Sequence, residues 1–273
     1  MARPFAFVLF LHGLVVTGCA PPSERLSRVS AAEAPAIAEP EEEGAPEWVL
    51  HTGDLVRVLR TLRPRFAWKG PIEGKMITRD DELIELSRAG GEGTGFGFRK
   101  DLGGEVAVPT AAWLCRRMEA GPDCEKRLHR IALDDRGETV LAYEACFAPG
   151  CRAALARGRK VSSLTINGLT DMRIARVGNQ TVAMASARWV RAPNWTGGSV
   201  FVLHVDDALR RGLEIVTDEV DARHAGTQQR HGTLTIEGDT LRFRGEKQSL
   251  MGPQIMSTAK VDETYRLAAA PAK

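Results

Sequence analysis

The chain has 273 residues, a formal net charge of +2 and five cysteines. With 43% apolar and 26% charged residues, it can build one large or two small cores under a soluble surface. No dense block of Lys and Arg stands out, which excludes the clustered phosphate contacts of a nucleic-acid-binding protein.

Arg3 gives a short positive start, residues 5–16 form an apolar run broken only by His12 and Gly13, and Val16-Thr17-Gly18-Cys19 closes it. This is a secretory-signal layout, with small residues before the cleavage point. The run is shorter than the roughly 20 residues that a membrane-spanning helix needs. Its last four residues resemble the lipobox of bacterial lipoproteins: an aliphatic residue, two small residues and a cysteine. The resemblance covers only about the first twenty residues. It implies a signal peptide over residues 1–18, acylation of Cys19 as the mature N-terminus, and a membrane as partner through that anchor. Ala20 stands where the family's inner-membrane retention signal typically has Asp, so the outer membrane is the expected location. Two or more acyl chains hold stably, because each buried methylene contributes about 0.8 kcal/mol.

Residues 20–47 are rich in Ala, Pro and Glu and contain no aromatic residue. Such composition buries too little apolar surface to offset the entropy of ordering, so residues 19–47 read as a lipidated, disordered tether. As a flexible coil the tether would hold a single domain, residues 48–273, about 30 Å from the membrane.

Trp48-Val49-Leu50 opens the folded body. Leu55, Val58, Leu59 and Leu62 follow a capping Asp54 at helical spacing and stop before Pro64, which predicts a short helix. Lys75-Met76-Ile77-Thr78 and Glu82-Leu83-Ile84-Glu85-Leu86 flank Arg79-Asp80-Asp81 as a hairpin, and a glycine-rich loop spans residues 90–97. Beyond residue 105 strand signals dominate. Asp134-Asp135-Arg136-Gly137, Asn167-Gly168, Gly178-Asn179 and Glu237-Gly238-Asp239 each separate apolar or alternating runs and read as turns. Further strands are predicted at residues 199–205, 213–220 and 257–267, before an Ala/Pro tail. Short strands at this spacing predict a mainly β fold, an antiparallel β-sandwich or barrel with one or two short helices.

Apart from Cys19, the cysteines are Cys115, Cys124, Cys146 and Cys151. An even number in an exported chain reads as disulfides, and neither neighbouring pair has the CxxC spacing of a metal site. Turn residues between neighbours (Gly121-Pro122-Asp123 and Pro149-Gly150) favour Cys115–Cys124 and Cys146–Cys151. Loop-closure entropy assigns each roughly 2–3 kcal/mol.

No motif specifies a cofactor. Residues 70–75 imitate a phosphate loop but lack the hydroxyl residue after the lysine. Ser257-Thr258-Ala259-Lys260 matches SxxK, yet it lies in a predicted strand with no downstream motifs. His204 and Asp206 share a strand face, with His224, His231, Asp218 and Asp221 nearby in sequence, which is the best arrangement for acid–base or metal chemistry. A bound metal is nevertheless not expected, because only His204 and Asp206 are placed together. Trp189 and Trp195 bracket an expected loop, where they would grip a sugar or partner, or cap the end of a β core. The leading expectation is a membrane-anchored cell-envelope lipoprotein with a binding or structural role. The alternatives are a periplasmic hydrolase using His204 and Asp206, and a β-barrel carrier of a small apolar ligand.

Overall fold

The computed structural model describes residues 20–88, 94–147, 149–223 and 226–268, so Cys19, His224 and the C-terminal tail lie outside them. Among the described residues, antiparallel strands dominate and two short helices accompany them, giving the expected mainly β, sandwich-like architecture. The two disulfides indicate an oxidising, exported compartment. Among the described residues no helix is long and apolar enough to cross a membrane.

The N-terminal part contains β1 (Ser23–Val29), β2 (Glu33–Ala36), β3 (Trp48–His51), β4 (Leu55–Ile72), β5 (Lys75–Arg88), β6 (Thr94–Phe98) and β7 (Leu102–Pro109). Five of these form a sheet in the order β6-β5-β4-β1-β7, and β2 pairs with β3 beside it. The disordered-tether expectation is therefore corrected. From Ser23 to Ala36 the chain is largely strand, with Leu26, Val29, Ala34 and Ala36 buried. Small Ala side chains contribute to this core by allowing close approach, which a hydropathy count undervalues. Glu24 of β1 receives Arg130 at 2.7 Å and Arg57 at 2.6 Å. Burial pushes the Glu24 carboxyl up, but the hydrogen bonds and charges of Arg130 and Arg57 outweigh it and hold the group below its ordinary value.

The helix expected after Asp54 is also a strand. β4 pairs with β5 along its length, but the register shifts between Val58 and Arg60, Thr61 and Arg63, and Arg63 and Phe66. Each bulge inserts a residue and resets the alternation. Leu55, Val58 and Leu62 thus acquire a helix-like spacing without a helix. Beyond the bulges strict alternation returns, with Phe66, Trp68 and Ile72 buried. The expected hairpin at Arg79-Asp80-Asp81 is the middle of β5; the actual turn is Glu73-Gly74, both at positive φ. Arg79 there forms an ion pair with buried Asp101 at 3.1 Å.

Then come α1 (Ala111–Met118), α2 (Cys124–Arg127) and the four-stranded sheet β11-β10-β9-β8, comprising β8 (Leu128–Ala132), β9 (Thr139–Glu144), β10 (Arg152–Arg157) and β11 (Lys160–Thr165). Both faces of its central strands β9 and β10 are covered, which explains their near-continuous apolar runs. Ala142, Ala154 and Ala156 meet Leu114 and Met118 of α1 on one face. Leu141, Tyr143, Ala153 and Leu155 meet the last sheet on the other.

That last sheet is a seven-stranded meander: β12 (Leu169–Val177), β13 (Gln180–Ala192), β14 (Trp195–Val205), β15 (Leu209–Asp221), β16 (Thr227–Glu237), β17 (Thr240–Met251) and β18 (Gln254–Arg266). Gly178 and Gly238 take the positive φ their turns require, as expected, and the Gly178 N–H donates to the Gly238 carbonyl at 2.8 Å. The sheet coils so that Leu241 and Phe243 of β17 pack against Val177, Val182, Met184 and Val202 on the face turned away from the four-stranded sheet.

Candidate functional site

The four-stranded sheet covers only part of the seven-stranded one. Where its cover ends, at the loop closed by Cys146–Cys151, the strands β13 to β16 run on uncovered and floor an open groove of about 1340 Å³. Phe147, 81% exposed, and Pro149 form its near wall. Arg188, Arg191, Arg211 and Arg230 enter it from the floor, together with Glu214, Asp218 and Glu219.

The floor is shaped by aromatic packing on glycine. The Trp189 ring lies over Gly197, where an added Cβ would come within 2.5 Å of the indole. Trp189 Nε1–H donates to Ser199 Oγ at 2.8 Å, and that hydroxyl donates to Glu214 Oε1 at 3.0 Å. Ser199 is buried, so this relay fixes the indole plane. Trp195 meets Trp189 edge-on, with centroids 6.1 Å apart, and its Nε1–H donates to Glu219 at 2.7 Å. The residues are not in a loop: β13 runs through to Ala192 and β14 starts at Trp195, leaving a tight turn at Pro193-Asn194.

The indole faces are already occupied. Arg191 lies over Trp189 at 4.3 Å and over Trp195 at 5.0 Å, while Arg223 lies over Trp195 at 3.7 Å. Stacking of this kind orients a guanidinium and leaves its N–H edge free to bind. Glu214 stands 4.0 Å from Arg191, at the limit of an ion pair, and Asp221 holds Arg223 at 2.6 Å. Asp221 already takes the Arg223 edge, so it is Arg191 that presents an oriented guanidinium edge to the groove in preference to a bare ring.

A second polar cluster lies where the N-terminal sheet meets the four-stranded one. Asp54, at the start of β4, bridges to Ile131 of β8, and its carboxylate accepts the His51 backbone N–H at 2.9 Å. Close by, the Tyr143 hydroxyl donates to Asp171 at 3.0 Å and the His129 ring stacks on Tyr143 with centroids 5.0 Å apart. Protein encloses these groups although each keeps a little surface. Burial raises the Asp54 carboxyl to about 6, against the pull of the His51 N–H and the charges of Arg88 and His51. Burial, aided by the Arg88 charge, lowers His129 to about 4. Burial and Asp171 together push the Tyr143 hydroxyl well above its usual range.

The residues singled out from sequence go elsewhere. His204 packs on Gly212, whose added Cβ would lie 3.0 Å from its Nε2. Asp206 leaves the strand, accepts the Ala208 N–H at 3.2 Å and pairs with Arg210. The face-sharing expectation for His204 and Asp206 is thus corrected: β14 ends at Val205, and Asp206 caps the following turn. His231 pairs with Asp218 in the groove. Among the described residues no three His, Cys, Asp or Glu side chains converge as metal ligands. The disulfides Cys115–Cys124 and Cys146–Cys151 form as expected. The sequence reading missed the Arg191 stack and the Asp54–His129–Tyr143–Asp171 cluster. Arg191 between two tryptophans was the available signal for the first. The second draws on four separate elements and has no local signature. No protein-family model, curated protein or solved structure matches the chain.

Proposed function

We propose that this is a lipid-anchored protein of the bacterial cell envelope, held through Cys19 at the outer membrane, that binds an extended acidic polypeptide in the groove between β13 and β16. The Val16-Thr17-Gly18-Cys19 lipobox resemblance and the oxidised cysteines support the location. The single observation that carries the binding role is the Arg191 guanidinium held over both Trp189 and Trp195 beside the Gly197-Gly198 floor. Oriented guanidinium groups select carboxylates by paired hydrogen bonds. A sugar would need an indole face that Arg191 and Arg223 already cover, so an acidic chain suits the groove better than a glycan. The open shape of the groove also favours binding over hydrolysis, and the Ser199 hydroxyl that Glu214 holds is buried beneath the floor.

Titration of the indole fluorescence tests this reading, with a poly-glutamate peptide, a poly-lysine peptide and an uncharged glycan as probes. Poly-glutamate alone is expected to bind, and Arg191→Ala is expected to weaken it at least tenfold, in line with the ~1.5–3 kcal/mol of a charge-assisted hydrogen bond. Binding of the glycan, or poly-glutamate affinity unchanged in Arg191→Ala, would refute the assignment. The acyl mass of the purified protein tests the anchor separately: Cys19→Ser should remove it.

A further inference from the structure

At the outer end of β16–β18 the sheet becomes a bare single layer. Every residue from Gln254 to Lys260 is exposed, which strand alternation permits only when both faces are uncovered. Residues 248–259, forming the hairpin between β17 and β18, contain no charged side chain in a chain that is 26% charged. Met251, Ile255 and Met256 are 60%, 54% and 58% exposed there. Lys247 and Lys260 bound this stretch, with Glu246 opposite Lys260, and no acidic side chain stands beyond them on the hairpin.

We infer that this hairpin end is a lipid-contact surface that dips into the interfacial layer of a membrane. Three observations favour a lipid over a protein occupant. Leu250 and Ile255 sit opposite each other and so share one face, while Met251 points from the other. A peptide or a second sheet covers one face of a layer, whereas a lipid phase surrounds both. The free edge of β18 is interrupted by a bulge: Ser249 pairs with Ser257 and Leu250 with Ile255, leaving Met256 as the extra residue. A bulge twists an edge away from strand addition, which disfavours pairing with a second copy. The uncharged end behind a pair of lysines also matches the order of acyl chain, glycerol and anionic headgroup in a bilayer. The inference stands independently of the groove and of acylation at Cys19.

The test uses the full chain with Met256→Trp, and Phe147→Trp as a surface control at the groove wall, both read as differences from the parent. Vesicles contain phosphatidylethanolamine and phosphatidylglycerol with brominated acyl chains. The added Trp at 256 is expected to shift to the blue and to be quenched at least twofold, while the one at 147 is unchanged. Lys247→Gln with Lys260→Gln in the Met256→Trp chain should reduce that quenching severalfold. Unaltered emission from the Trp at 256 overturns the inference. So does a blue shift without lipid that tracks a monomer–dimer equilibrium in sedimentation, which would assign the hairpin end to a second copy. Thermal melts confirm that the exposed substitutions leave the fold intact, and the acyl mass of the same preparation reports the anchor independently.

Discussion

Replacing Asp54 with Asn should reveal a compensation between two enclosed groups. Asp54 titrates at about 6 in the folded protein against an ordinary 3.8. The native state therefore keeps a proton that the unfolded chain has lost. Its contribution to stability is fully present below 3.8, is lost as the pH rises to about 6, and amounts to about 3 kcal/mol at 1.36 kcal/mol per pH unit. His129 has the opposite sign, since it falls from an ordinary 6.5 to about 4. Its contribution is present above 6.5 and is lost as the pH falls to about 4, again about 3 kcal/mol. Between pH 4 and 6 the two slopes, each about 1.4 kcal/mol per pH unit, cancel. Asn keeps a carbonyl oxygen for the His51 N–H and cannot ionise. Urea unfolding of both proteins at half-unit pH steps, with disulfides intact, supplies the comparison. The variant's stability relative to the parent should climb by about 1.4 kcal/mol per pH unit through that window and level off about 3 kcal/mol higher at neutral pH. A difference that does not vary with pH, or one that falls as the pH rises, would refute the reasoning.

Two further outcomes test the packing. Glu24→Ala should cost about 3 kcal/mol, because it leaves the enclosed Arg130 guanidinium with the Pro109 carbonyl but no carboxylate, and chemical denaturation measures it; a neutral result would mean that the N-terminal strand is not docked. Replacing either cystine by two alanines should lower stability by about 2–3 kcal/mol, the entropy of closing a short loop, and the two losses should add because the bonds lie in separate clusters.

The sequence revealed structure wherever a rule acts over a few residues. The turns at Asn167-Gly168, Gly178-Asn179 and Gly238-Asp239 were readable because a positive φ selects glycine locally, and the disulfide partners because turn residues fill each short loop. β4 was misread because three bulges broke its alternation, and the segment after Ala20 because alanines fill its core positions. α1 was missed although Thr110 caps it, its hydroxyl accepting the Trp113 N–H at 3.4 Å; the surrounding strand signals hid the spacing of Leu114 and Met118. Trp189 and Trp195 stood out as a possible grip, but the partner that closes the arrangement, Arg223, arrives from the following strand pair across a long stretch of sequence. Asp54, His129 and Asp171 meet only through the stacking of sheets, which no local spacing reports.

The position of β1 also decides how the molecule would carry a mechanical load. Only three residues separate Cys19 from Ser23, so an anchor at that cysteine would transmit tension almost directly into a strand bordered by β4 and β7. The backbone bonds to β7 run perpendicular to that tension, from Ser23 opposite Pro109 to Val29 opposite Leu102, and would resist it together in shear instead of opening one after another like a zipper. At the loaded end the Thr110 N–H donates to the Pro22 carbonyl at 2.9 Å, and the helix beginning there is tied to α2 by Cys115–Cys124. Force entering at the membrane would thus be spread across a cross-braced corner before it reached the hairpins that shape the groove.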